Sequence, residues 1–241
     1  MNKALEHKIH YYFGNNKKLS KPEFVLAIKK DFPSWSGNTI NMYLSQLKKE
    51  GIIHNTSRGF YELGSSEKFK PMITPSLKKI YNRIHKDYPF VNYCVWNTSW
   101  INDLMRHQPF KTYTVIEVEK EAVEQIFNSF NDNFKNVYLN PDEEIFDRYI
   151  SYADEVIIIK NLISEAPIEK TDKVSIPTLE KLLVDMLIDN RLFAAQQGEI
   201  DFIFKTALQK YPLNRLKMKR YAMRRNRENE LQNIFNVISA K

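Results

Sequence analysis

Residues Ser36–Leu63 read SGNTINMYLSQLKKEGIIHNTSRGFYEL. The spacing predicts one amphipathic helix, a glycine stop and a short β-hairpin with an arginine-glycine tip. Ser36 is a good N-cap because its hydroxyl can accept from a free N–H of the first turn. Ile40, Tyr43, Leu44 and Leu47 recur at i, i+3, i+4 and i+7, which makes one apolar stripe. The opposite face carries Asn38, Asn41, Met42, Ser45, Gln46 and Lys49, mostly short side chains that hydrogen-bond without charge. Gly51 stands at the left-handed C-cap position. Ile52–His54 and Phe60–Leu63 are β-prone and flank Asn55–Gly59, a turn-rich linker. Helix followed by hairpin is the order of the recognition helix and wing of a winged helix-turn-helix. Such a helix face can enter a major groove, reading base edges with amides and touching phosphate with lysine. Asn38, Asn41, Met42 and Ser45 are the expected base-facing residues, and Lys48, Lys49 and Arg58 the expected phosphate contacts. The alternative is a small three-helix domain whose polar face is merely solvated.

The upstream residues fit the same scheme. Residues 3–13 form a first helix with Leu5, Ile9, Tyr12 and Phe13 inward, closed by Gly14-Asn15-Asn16. Ser20 caps a second helix, and Glu23 three residues later completes a capping-box pattern. Pro22 costs no intrahelical N–H so near the start. Phe24, Ile28 and Phe32 are its apolar anchors, and Asp31–Trp35 is the turn into the next helix.

Beyond this stretch the chain has room for a second domain, since 241 residues can bury a sizeable core. At 43% hydrophobic and 27% charged, it has the composition of a folded protein rather than a disordered one. One cysteine, Cys94, excludes an internal disulfide framework and fits a reducing compartment. No apolar run approaches the roughly 20 residues that span a bilayer, and the N-terminus lacks the apolar centre of a signal peptide. A cytoplasmic protein without a membrane partner is expected. The net charge of +7 is unevenly spread. Residues 1–64 carry +5 and residues 202–241 carry +8, which leaves −6 for residues 65–201. A basic head and tail around an acidic centre suggest polyanion contacts at one or both ends.

The predicted domains are a winged helix-turn-helix over 1–64, a polar hinge over 65–75, and an α/β domain with a basic helical C-terminus over 76–241. A helix over about 76–86 opens the second domain. Strands at 92–96, 113–119, 136–139 and 155–159 then alternate with helices at 99–107, 121–130 and 142–150. That alternation calls for a mixed or mostly parallel sheet with covering helices. After 173–175 the chain reads as helical: 177–189, about 195–210, and 214 onward. The fold class is therefore mixed α+β.

Five of the six glycines lie at or before Gly64, and the sixth is Gly198. Phosphate-cradling loops need glycine so that backbone N–H groups can approach the phosphate. A Rossmann-like or P-loop nucleotide site in the core is therefore not expected. The five histidines (His7, His10, His54, His85, His107) show no metal-ligand spacing beside Cys94. Cys94 itself lies mid-strand, where a cysteine is usually a small buried hydrophobe. Glu117 and Glu119 alternate by two at a strand end and Asp142 follows in an acidic cluster. Carboxylates so placed could hold Mg²⁺ for nuclease chemistry, although the spacing lacks an acidic-x-Lys triad. The two indoles of Trp96-Asn97-Thr98-Ser99-Trp100 could stack on a base or a partner side chain, but the favoured reading is a sheet end with Thr98 or Ser99 starting the next helix. In LKMKRYAMRRNR, Lys217, Arg220, Arg224 and Arg227 share one helix face, suited to phosphates or to an acidic protein surface, the alternative being a merely solvated basic face on a terminal helix. The apolar set that follows, Leu231, Ile234, Phe235 and Ile238, falls near the same angle, so either the helix breaks near Asn226–Asn229 or it contacts two different bodies.

The layout, with a winged helix ending Gly51…Arg58-Gly59-Phe60-Tyr61, then VSIPTLEKLLVD at 174–185 and Arg220-Tyr221-Ala222-Met223-Arg224-Arg225, resembles the AbiEi-type antitoxins and transcriptional regulators of bacterial type IV toxin–antitoxin (abortive infection) systems. That resemblance implies an autorepressor that binds its own operator as double-stranded DNA. It also implies a C-terminal domain that counteracts a nucleotidyltransferase-type toxin. No catalytic residue, cofactor or metal is expected from it. The alternative is a metal-dependent nuclease or nucleotide-modifying domain, targeted to DNA by the winged helix, with Glu117, Glu119 and Asp142 as its carboxylates. An adaptor that binds partners through the basic tail is a third reading.

Overall fold

The computed structural model describes residues 3–14, 16, 18–49, 51–57, 59–64 and 68–239, and it is a mixed α+β structure. The chain divides into two compact units, residues 1–69 with 206–216, and residues 70–205 with 217–241.

The first unit contains α1 (Lys3–Phe13), β1 (Leu19–Ser20), α2 (Lys21–Asp31), α3 (Gly37–Lys49), β2 (Ile53–Ser57) and β3 (Phe60–Leu63). The local signals do what their chemistry requires. Ser20 Oγ accepts from Glu23 N while the Glu23 carboxylate accepts from Ser20 N, so the capping box is complete. Ser36 Oγ accepts from Thr39 N at 3.1 Å and starts α3. Leu5, Ile9, Phe13, Phe24, Ile28, Ile40, Leu44, Leu47 and Ile53 are buried in one core, with Tyr43 partly buried against it. The three strands are antiparallel in the order β1-β3-β2. One expectation changes here. Asn55–Gly59 is not all turn, because β2 continues to Ser57 with a bulge between Asn55 and Ser57. Asn55 Nδ2 donates to Phe60 O at 3.3 Å and holds the irregular pair together.

The second unit is built on a four-stranded sheet of order β4-β5-β7-β6: β4 (Tyr93–Asn97), β5 (Thr114–Val118), β6 (Val137–Leu139) and β7 (Ile157–Asn161). β4 is antiparallel to β5, and β5, β7 and β6 run parallel. The sheet is therefore mixed. Register places Tyr93, Val95, Ile116, Val118, Ile157 and Ile159 on one face, which α4 (Pro75–Asp87) and α5 (Val123–Asn131) cover. Cys94, Trp96, Val115, Glu117, Ile158 and Lys160 are on the other. Helices on both faces explain why these strands read as nearly continuous apolar runs. The short helix after β4 is a 3₁₀ helix (Thr98–Leu104) capped by the Asn97 side chain, and α6 (Glu143–Ile145) runs into a π-helical turn (Phe146–Ile150).

Two corrections concern the C-terminal third. Residues before Pro177 form a hairpin, β8 (Ile168–Thr171) and β9 (Val174–Pro177). Its turn residues Asp172 and Lys173 both have positive φ (48° and 69°), as a type I′ turn demands. No glycine signals it in the sequence. The helices are also shorter than expected: α7 (Leu179–Asp185), α8 (Ala194–Gln197), α9 (Ile200–Lys210), α10 (Arg215–Arg224) and α11 (Glu228–Ser239). The break falls at Asn226, whose φ is +55°. Among the described residues no helix is long and apolar enough to cross a membrane.

Candidate functional site

In α3 the apolar stripe is turned inward and the polar face is left in solvent. Asn38, Asn41, Ser45 and Lys48 are exposed, and Met42 keeps 54% of its surface accessible. At 3.6 residues per turn these five side chains occupy an arc of about 120° on one side of the helix. The Lys49 side chain and Arg58 lie outside the described residues. Lys48 Nζ stands 6.0 Å from the Tyr61 ring centroid, so its charge is held above β3. Exposed Phe60 starts β3, and Lys21 N donates to Gly59 O at 2.6 Å, tying the hairpin tip to the start of α2.

Behind the hairpin, residues 212–216 close a small cavity of about 250 Å³ lined by Lys48, Ile53, His54 and Asn55. His54 Nε2 lies 3.5 Å from Glu62. Burial depresses the His54 imidazole below its usual value and the nearby Arg215 charge adds to this, while Glu62 opposes.

The basic residues of the tail are largely engaged by acids of the second unit. Lys217 pairs with Glu180 at 3.4 Å, Arg224 with Glu165 at 2.5 Å, and Arg227 with Glu230 at 3.5 Å, whereas Arg220 is exposed. Only Lys217, Arg220 and Arg224 lie on α10; Arg227 falls beyond its end, after the break at Asn226, and three of the four cations have intramolecular partners.

The carboxylates Glu117, Glu119 and Asp142 have separate tasks. Glu119 accepts from Asn92 Nδ2 at 2.8 Å, and Asp142 caps α6 by accepting from Ile145 N at 2.9 Å. Glu117 is buried and belongs to a cluster that sequence reasoning missed. Lys181 Nζ, with no solvent exposure, donates to Glu117 Oε1 (2.6 Å), Glu117 Oε2 (2.7 Å) and Asp185 Oδ2 (2.6 Å). Trp96 Nε1 donates to Glu117 Oε1 at 2.8 Å, and the Tyr221 hydroxyl donates to Asp185 Oδ1 at 2.8 Å. Burial by itself would depress the Lys181 ammonium, but Asp185 and Glu117 outweigh it and the net shift is upward. Cys94 is sealed on the same sheet face, and burial pushes its thiol up and away from reactivity. The available signal was Lys181 and Asp185 at i, i+4 inside a helix whose other residues are Leu and Val apart from Glu180. With every polar atom of the cluster engaged, its evident task is to join β5, α7 and α10.

Beside it, over the exposed end of that sheet face, a cleft of about 650 Å³ is lined by Ile158, Lys160, Pro141, Phe146, Asp189 and Arg191 among others. Lys160 pairs with Asp189 at 2.7 Å, and Arg191 pairs with Glu143 and Asp147. Among the described residues no group of three or more His, Cys, Asp or Glu is arranged to hold a metal ion.

Sheet order, buried stripe and exposed helix face define a mixed α+β chain of two compact units. The chain belongs to the family of unknown function DUF6577, whose profile matches residues 39–241, from within α3 to the C-terminus. No curated protein matches it.

Proposed function

We propose that the first unit is a winged helix-turn-helix that binds double-stranded DNA, and that the chain is a transcriptional regulator. The observation that carries this reading is the face of α3. Asn38, Asn41, Met42, Ser45 and Lys48 are all exposed on one side, while Ile40, Leu44 and Leu47 are buried on the other. The element order α1-β1-α2-α3-β2-β3 with strands in the order β1-β3-β2 supports it. In this reading α3 lies in the major groove, its amides facing base edges and Met42 facing a thymine methyl. Lys48, Lys49 and Arg58 contact phosphate, and the β2–β3 hairpin is the wing. The likeness in layout to AbiEi-type antitoxins extends the proposal to repression of the chain's own operon beside a nucleotidyltransferase-type toxin. Such a gene immediately downstream would support that extension.

The test is a mobility-shift titration on the promoter fragment and on a scrambled duplex. Asn41→Ala and Ser45→Ala each reduce discrimination between the two by about 1–3 kcal/mol. Lys49→Ala and Arg58→Ala weaken both duplexes alike and flatten the salt dependence by about one unit of slope per lost phosphate contact. Unchanged promoter binding in all four variants would show that α3 and the hairpin do not form the DNA surface.

A further inference from the structure

Besides Phe90, three aromatic side chains of the second unit stand in solvent. Phe110 is 107% exposed, Tyr152 80% and Tyr149 56%. They belong to two segments that the structure ties together. Lys111 Nζ donates to the carbonyl oxygens of Ser151 and Ala153, and Tyr113 meets Phe146 edge to face at 6.2 Å between centroids. Phe110, next to Lys111, is thereby set beside the Ser151–Ala153 stretch that carries Tyr152. Tyr149 is held one turn away, its carbonyl accepting from Tyr152 N and Ala153 N. The backbone here is a π-helical turn, a rare form found disproportionately at functional sites. Exposed aromatics gathered in this way are the usual mark of a protein-binding surface, and aromatic anchors supply much of the affinity in such interfaces.

The charge around them selects the partner. Residues 142–155 hold six Asp/Glu and a single Arg. That Arg148 pairs with Glu144 at 2.9 Å, and Arg191 takes Glu143 and Asp147. Asp154 and Glu155, directly after Tyr152 and Ala153, form no ion pair among the described residues. Ring faces attract guanidinium and ammonium groups, and carboxylates accept their N–H donors. The same carboxylates repel a phosphate backbone. We propose that Phe110, Tyr149 and Tyr152, rimmed by Asp154 and Glu155, form a docking surface for an arginine- and lysine-rich segment of another protein.

The probe is a fluorescein-labelled arginine–glycine repeat peptide, titrated with the full chain by anisotropy, beside a glutamate–glycine peptide and a single-stranded oligonucleotide. The arginine peptide binds in preference to the acidic one, and any oligonucleotide binding, which the first unit would supply, is unaffected by changes at the patch. Phe110→Ala with Tyr149→Ala and Tyr152→Ala weakens it about tenfold or more, and Asp154→Asn with Glu155→Gln weakens it while reducing its salt dependence. Circular dichroism checks that each variant is folded. If the triple variant is not, Phe110→Ser and Tyr152→Ser singly decide the matter. Equal arginine-peptide binding by wild type and variants overturns the proposal. So does preference for the acidic peptide, or oligonucleotide binding that the triple variant weakens as much as it weakens the arginine peptide. Self-association in sedimentation that the triple variant abolishes also overturns it, by showing that a second copy occupies the patch.

Discussion

Lys181 is the residue whose neighbours matter most to the second unit. It is wholly buried, makes three short bonds to Glu117 and Asp185, and is reached through Asp185 by Tyr221. Moving such charges out of water costs several kcal/mol per ion, and only complete pairing offsets it. Lys181→Met leaves buried Glu117 without a cation and Asp185 with only Arg225, 3.9 Å away. It should lower the stability of the second unit by about 3–5 kcal/mol, read from urea denaturation followed by fluorescence, since Trp96 donates to Glu117 within the same cluster. Adding Glu117→Gln and Asp185→Asn removes the stranded charge and should recover much of the loss. If Lys181→Met alone is neutral, the cluster is not what holds α7 and α10 to β5. The exposed residues of α3 follow the opposite logic. Asn41 and Ser45 are exposed, so on the proposed DNA-binding reading their replacement should change recognition and not stability.

At the level of elements, the first unit turns on the junction between α3 and the hairpin. Gly51 has φ +75°, and a Cβ there would meet Pro212 Cγ at 2.8 Å. Gly64, at the end of β3, donates its N–H to Ile52 O and packs so closely on the Gly51 backbone that a Cβ would collide with Gly51 O. The helix end and the hairpin base are thus held against each other by two residues that lack side chains. Gly51→Ala combines a left-handed backbone with that clash and should cost about 1–3 kcal/mol, seen as faster hydrogen exchange in the last turn of α3 and in β2. Unchanged exchange there would mean that the junction yields without cost. Helix starts, the Gly51 stop and both β-prone runs of this unit were legible, because caps and periodicity act over a few residues. The β8–β9 hairpin was not, since Asp172 and Lys173 supply the positive φ that glycine or asparagine usually announces.

For the whole molecule, the boundary between units is not a single point on the chain. Residues 206–216 group with the N-terminal unit, although residues on both sides of that segment group with the second. Tyr211 and Leu213 are buried, and Tyr211 meets Phe69 edge to face at 5.5 Å. The proposed DNA-binding unit is therefore incomplete without residues from the last sixth of the chain. Leu213→Ala should destabilise it by about 2–4 kcal/mol, and hydrogen exchange should speed up in α3 and β2 rather than in β4–β7. Faster exchange confined to β4–β7 would refute that grouping. A continuous domain over 1–64 was the natural reading of the sequence, because a hydrophobic segment near residue 212 carries no sign of which core it will join.

What the sequence determined alone is everything governed by near neighbours: the capping box at Ser20, the two-sided character of α3 and the buried apolar strands. Each depends on hydrogen bonds or side-chain spacing within a turn or two. The tertiary structure decided which distant groups meet. Glu117 and Lys181 are 64 residues apart, and their charges look like solvated surface until β5 and α7 are packed face to face. Lys111 likewise reads as an ordinary basic residue until its bonds to Ser151 and Ala153 set three exposed aromatics beside one another. Long-range pairing depends on sheet order and helix packing, which the free energy of the whole core selects, and no local pattern encodes it.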